Sequence, residues 1–195
     1  PEVDGYYGKF DHNQLLEKLN KEYNSALCNE RVLTTPNHYA YLKIAEGCNR
    51  ACSYCAIPII TGPYKSRSIE DIEDEVKYLV STGVKEFQVI AQDLSFYGLD
   101  NYKRLALPEL IKRLSDIKGV EWLRLHYAYP TQFPYEILDV IKERENVCNY
   151  LDLALQHSSD HMLKLMRRGI TYDQTVQLLS EIRSAVPDIC LRTTL

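Results

Sequence analysis

Apolar and polar residues follow two periods along this chain, and the two periods trade places at nearly regular intervals. Short apolar or alternating runs at 41–45, 86–91, 122–127, 150–155 and 189–194 predict strands. Between them the apolar residues recur at helical spacing. Ile69, Ile72, Val76, Leu79 and Val80 predict a helix over 69–81, where Ser68 and Asp71 resemble a capping box and Gly83 gives a stop. Pro108 opens a second helix whose buried side is Leu110, Ile111, Leu114 and Ile117 and which Gly119 ends. Further helices are predicted over 135–142, 160–166 and 173–185.

Strand and helix therefore alternate about five times, the pattern of an α/β protein with a parallel sheet that curls into a (βα) barrel. Residues 1–37 stand apart. They hold one short helix over 13–23, with Asp11 as N-cap and Leu15, Leu16 and Leu19 on one face, and then a linker ending in Thr34-Thr35-Pro36-Asn37. The expected division is 1–37, the end of a preceding domain plus linker, and 38–195, a barrel incomplete at its C-terminus because Leu195 falls inside an apolar strand.

Composition changes this picture little. Hydrophobic residues make up 45% and charged residues 26%, as in an ordinary globular chain, and no run of about eighteen apolar residues spans a membrane. Neither is there a charged-then-apolar leader, so a cytoplasmic location with no membrane partner is expected. The formal net charge of −4 gives no electrostatic case for nucleic acid. Lys65 and Arg67, and Arg167 with Arg168, are read as solvated or dipole-complementing charges.

Cysteine spacing changes it more. Cys48, Cys52 and Cys55 lie within eight residues as C-x3-C-x2-C, directly after the first predicted strand. Three crowded thiols cannot pair off as disulfides, and a metal would relieve their reactivity. Zinc in a structural site takes four ligands as two spaced pairs, and no second C-x2-C or H-x3-H with cysteine companions follows; His157 and His161 stand alone. An iron–sulfur cube on three thiolates would keep one iron open to a small molecule. A zinc knuckle with an unrecognised fourth ligand, or a redox pair at Cys52 and Cys55, remains the alternative. Cys28, Cys148 and Cys190 sit among apolar neighbours and are expected to be plain thiols.

With Tyr54 before its last cysteine, this run resembles the signature of the radical S-adenosylmethionine (SAM) enzymes. Gly47-Cys48-Asn49, Ser66-Arg67-Ser68, Ala91-Gln92-Asp93-Leu94, Tyr127-Ala128-Tyr129-Pro130, Gln156-His157-Ser158-Ser159 and Met166-Arg167-Arg168-Gly169 resemble, in order, its methylthiotransferase branch. The ribosomal-protein-modifying members are a nearer match than the tRNA-modifying ones, the alternative, which alone would imply a nucleic-acid partner. The likeness runs along the whole chain, and the cysteines, Gln92-Asp93, Tyr127 to Pro130 and Gln156 to Ser158 fall at the C-terminal ends of the first four predicted strands, where a barrel binds its ligands.

The resemblance implies a 4Fe–4S cluster on Cys48, Cys52 and Cys55 and a SAM molecule chelated to its open iron. It implies Tyr54 beside the adenine, with packing of the loop as the equal alternative, Gln92 and Asp93 accepting from the methionine ammonium, Gln156 and Ser158 reaching the ribose, and Arg167 or Arg168 pairing with the carboxylate. Asp93 could equally cap the next turn, and Arg168 could equally complement a helix dipole. A second 4Fe–4S cluster is implied for a preceding domain. The implied reaction adds a methylthio group to the β-carbon of an aspartate in a small-subunit ribosomal protein, free or in the ribosome.

Overall fold

The computed structural model describes residue 3 and residues 5–7, 12–22 and 31–195. The chain divides into two compact units, Pro1–Val32 and Leu33–Leu195. In the first, the expected helix is α1, His12–Lys18, followed by a turn in which Asn20 takes a positive φ of 52°. Asp11, residue 23 and most of the expected linker, 24–30, lie outside the described residues, as does Cys28.

The second unit is built on five parallel strands: β1 (Tyr39–Lys43), β4 (Glu86–Ile90), β5 (Trp122–Ala128), β6 (Val147–Leu153) and β7 (Cys190–Thr193). They neighbour one another in that order, and β1 and β7 are the edges of an open sheet. Helices α3 (Ile69–Ser81), α4 (Leu107–Ser115), α5 (Glu136–Glu143), and α6 (Asp160–Leu165) with α7 (Tyr172–Ala185) fill the crossovers. Each boundary is within three residues of its sequence expectation except that of α4, where Asp116 caps the helix and Gly119 follows in a turn. Ser68 accepts from the Asp71 N–H as expected, while the reciprocal capping box belongs to Thr171 and Gln174 on α7.

Two pieces went unforeseen. Residues Ala45–Glu46 (β2) and Lys65–Ser66 (β3) pair antiparallel, and Ile57–Thr61 (α2) forms a single helical turn between them. A two-residue strand has no period to read.

The strands bury one face only. Ala40, Leu42, Phe87, Val89, Leu123, Leu125, Leu151 and Leu153 pack under Ile72, Val76, Leu79, Leu110, Ile111, Leu114, Ile141 and Ile182 of the helices. The opposite face carries Lys43, Glu86, Gln88, Arg124, His126, Asp152 and Arg192, which explains why β1, β4 and β5 alternate where a parallel sheet covered on both faces would run continuously apolar. Arg67 is a correction to the sequence reading: its guanidinium clamps Asp71 (2.6 Å) and the buried Glu75 (2.5 Å) and is not a solvated charge.

On the polar face His126 contacts Gln88 Oε1 at 2.6 Å and lies 3.9 Å from Asp152. Burial pushes its pKa below the ordinary 6.5, and Asp152 opposes that shift. A depressed histidine pKa means that the unfolded chain binds the proton more tightly, so stability rises with pH through the window below 6.5 and is lost as pH falls through it. Urea unfolding midpoints are expected to drop between pH 7 and pH 5.5, and His126→Gln should flatten that drop. An unchanged slope in the variant would show that another group is responsible.

Among the described residues no helix is long and apolar enough to cross a membrane.

Candidate functional site

The C-terminal ends of the strands surround a cavity of about 380 Å³. Cys48, Cys52 and Cys55 line it from one side, Ile90, Ala91 and Gln92 from the end of β4, Tyr127 and Tyr129 from β5, and Ala154, Gln156 and Arg168 from beyond β6. These residues come from segments up to 120 positions apart, so only the fold brings them together.

The β2–β3 hairpin pins both ends of the cysteine loop. Inside it Cys48 N–H donates to Gly62 O at 3.3 Å, Asn49 Oδ1 accepts from Tyr64 N–H at 2.9 Å, and Cys55 N–H donates to Cys52 O at 3.1 Å. From across the cavity Ser53 is held by Met166 O and Leu165 O. Cys48 is buried, which pushes its thiol pKa up, while the Arg50 backbone N–H, 3.4 Å from the sulfur, works the other way.

Arg50 ties the loop to the sheet. Its Nε donates to Asp93 Oδ2 at 2.8 Å, its other nitrogens reach Thr131 and Gln132, and its guanidinium stacks 4.2 Å from the Tyr129 ring. Arg168 lies 4.0 Å from that ring centre, so Tyr129 meets two guanidinium groups, a cation–π arrangement strengthened by burial. Arg168 Nη1 also reaches Cys52 Sγ (3.4 Å) and the Tyr54 hydroxyl (3.3 Å), and Nη2 donates to Ala154 O.

Sequence expectations for single residues fare unevenly. Tyr54, Gln92, Gln156 and Arg168 line the cavity with the cysteines. Asp93 does not: of its two expected roles the structure shows the cap, with Ser95 N–H at 2.9 Å on one oxygen and Arg50 on the other. Ser158 is exposed and outside the cavity, and His157 accepts from Ser159 N–H. Arg168 is 3% exposed, so it does not serve as a surface dipole partner. Arg50 and Tyr129 were missed as site residues. Arg50 gave no signal beyond being a charge between two cysteines, and Tyr129 lay unassigned within a quoted motif.

Two buried side-chain atoms among the described residues lack a hydrogen-bond partner, Gln92 Oε1 and Arg168 Nε. Each such atom costs about 1–3 kcal/mol, so a fold keeps it where something else will satisfy it. Both belong to residues of this one cavity, one an acceptor and the other a charged donor, as a zwitterionic amino-acid group requires. The donor set fits an iron–sulfur cube: the three thiols of Cys48, Cys52 and Cys55 line this same cavity, and a cube takes each thiolate on a different iron.

A family model described as the radical SAM superfamily matches residues 42–195. The chain belongs to that superfamily. Its sequence is 64% identical over 195 residues to the ribosomal protein uS12 methylthiotransferase RimO of Parabacteroides distasonis, covering all of this chain and 45% of that protein. It is 52% identical to the protein of the same name from Christiangramia forsetii, covering 43% of it. The chain thus spans somewhat under half the length of these relatives. Among solved structures, the fold resembles the radical SAM methyltransferase TsrM from Kitasatospora setae, with bound tryptophan and a SAM analogue, at a TM-score of 0.62 and 18% identity over 84% of this chain and 33% of that one. It also resembles the cobalamin-dependent SAM radical enzyme OxsB at a TM-score of 0.63 and 16% identity, over 80% of this chain and 23% of that one. These likenesses establish the α/β fold of radical SAM enzymes.

Proposed function

We propose that this chain is the cofactor-binding core of a radical SAM methylthiotransferase that modifies the β-carbon of an aspartate in ribosomal protein uS12. The observation that carries the reading is one cavity lined by three cysteine thiols and by Gln92 and Arg168, each of which keeps one buried side-chain atom without a partner. The motifs at Ala91-Gln92-Asp93 and Tyr127-Ala128-Tyr129-Pro130, and relatives whose name is for a ribosomal protein, favour this over the tRNA-modifying alternative.

Cys48, Cys52 and Cys55 would hold a 4Fe–4S cluster and leave its fourth position to SAM. The cluster and SAM together supply one-electron reduction and abstraction of hydrogen from a carbon that no side-chain acid or base could activate. The residues of the chain bind and orient. Gln92 Oε1 would accept from the SAM ammonium and Arg168 Nε would donate to its carboxylate, while Tyr54 would flank the adenine and Gln156 the ribose. Ile57, Ile90 and Ala91 form apolar wall of the cavity and would limit water around the bound cofactor. The reading assigns the second, sulfur-supplying cluster to a region of the longer relatives outside this match, since no second three-cysteine group occurs in the sequence.

Calorimetry with anaerobically reconstituted chain tests the pairing. SAM is expected to bind, and Arg168→Gln to weaken it by about 30-fold, the equivalent of ~2 kcal/mol for one charged hydrogen bond. Gln92→Leu should weaken it by about tenfold while changing stability by under ~1 kcal/mol, because loss of the 3.0 Å bond from Gln92 Nε2 to Glu46 Oε1 is offset by removal of a buried unsatisfied atom. SAM affinity unmoved by both substitutions would overturn the assignment.

A further inference from the structure

The end of β5 is irregular in a way that joins two cavities. Leu125 pairs with Leu151 and Ala128 with Leu153, so His126 and Tyr127 together stand against Asp152 alone. This is a β-bulge, the device by which strands re-aim a side chain beside a site. Tyr127 carries it with φ at 65°, a left-handed conformation that a bulky residue rarely adopts and that costs of order 1–3 kcal/mol. In a regular strand Tyr127 would follow Leu125 onto the helix-covered side at alternate steps; the bulge sets it beside His126 on the open face. There it lines the cofactor cavity and also a second cavity of about 260 Å³. Ile90 is the other wall they share.

Tyr41, His126, Tyr150 and Arg192 complete the second cavity. None of its lining residues is acidic. Arg192 Nη1 is anchored at 2.5 Å by Asp152, a carboxylate 1% exposed that lies behind the lining. The side chain of Arg192 is otherwise 55% exposed. An arginine held on one edge by a buried carboxylate keeps its remaining N–H groups oriented toward the open side, and the fork geometry of guanidinium suits a second carboxylate. The surrounding phenol rings give an apolar body with polar tips.

We propose that this second cavity is the substrate subsite, that it takes a carboxylate-bearing side chain of a peptide, and that Arg192 receives the carboxylate while Tyr127, shared by both cavities, borders the passage from that side chain to the cofactor. The assignment rests on the proposed function, in which the neighbouring cavity holds SAM. It makes Arg192 a specificity-determining residue, since a site that presents a charged donor discriminates strongly against a ligand lacking the acceptor.

The test uses N-acetyl-Gly-Asp-Gly-amide and its Gly-Asn-Gly counterpart, titrated by NMR into chain with labelled tyrosine rings, with SAM titrated separately. The acidic peptide is expected to shift the Tyr127 and Tyr150 resonances and to bind at least about tenfold more tightly than the amide peptide. Arg192→Gln alone would strand the buried Asp152 charge, so the decisive variant is Arg192→Gln with Asp152→Asn, which should fold and lose the preference. Asp152→Asn by itself should keep or sharpen it. Equal binding of the two peptides by the native chain, or a preference that survives in the double variant, would overturn the inference even if SAM binds normally. Failure of SAM to bind while the carboxylate preference persists would instead overturn the proposed cofactor cavity and support Arg192 as an anion site.

Discussion

Cys48→Ala, Cys52→Ala and Cys55→Ala are each expected to abolish iron uptake on anaerobic reconstitution, whereas the unaltered chain takes up about four irons and turns brown. The effect should be all-or-none, because two thiolates cannot replace three on a cube that already lacks its fourth ligand. Folding should survive in each case. Cys55 is only half-buried, Cys52 makes sulfur contacts to Arg168 and Tyr129 while the loop's backbone bonds remain, and the buried Cys48 loses only one weak N–H contact. Replacing Cys28, Cys148 and Cys190 together should leave iron content unchanged. Cys148 lies beside a different cavity near Trp122 and Asn149, and Cys190 is exposed on β7. A chain that bound a single zinc tightly and took up no iron would defeat the cluster reading, and iron loss in the triple variant would show that one of those thiols is a ligand.

The chemistry of this chain is more legible in its sequence than the scaffold that holds it. The C-x3-C-x2-C run is local, so its spacing survives without knowledge of the fold, and the βα alternation follows from period alone. The Arg50–Asp93 pair spans 43 residues and depends on β1 and β4 being neighbours. No local pattern marks either partner, and Asp93 read as a ligand residue because a carboxylate at a strand end could have served either role. Arg168 was legible as a candidate but not as a buried one. Its neighbours Arg167 and Gly169 suggest surface, and its burial comes from Tyr129 and Ala154. The bulge at Tyr127 shows only as two successive open-face residues, which a single strand sequence cannot distinguish from a strand end.

Gly47→Ala should be strongly destabilising. Gly47 sits at φ 77°, where an L side chain is strained, and a Cβ there would lie 2.2 Å from Pro63 O and 2.7 Å from Gly62 O. Both obstacles are backbone atoms, and Gly62 O is tied to Cys48 N–H, so they cannot swing aside as a flexible side chain would. Left-handed strain of about 1–2 kcal/mol and an overlap of ~1–3 kcal/mol add to a loss of roughly 2–5 kcal/mol. Gly62→Ala is the control. Its φ of 76° and ψ of −165° lie in a region essentially confined to glycine, but nothing lies within 4 Å of the added carbon, so it should suffer backbone strain alone, about 1–3 kcal/mol. Urea unfolding of the two variants separates the terms. The contact argument requires Gly47→Ala to be clearly the less stable, and an equal loss in both would leave backbone strain as the whole effect. Where Gly47→Ala still folds, the carbonyls it displaces lie at the opposite end of the cysteine loop, and Cys48 must move with them. Its iron uptake on reconstitution should then fall well below that of Gly62→Ala, because a cluster tolerates little error in where its first thiolate stands.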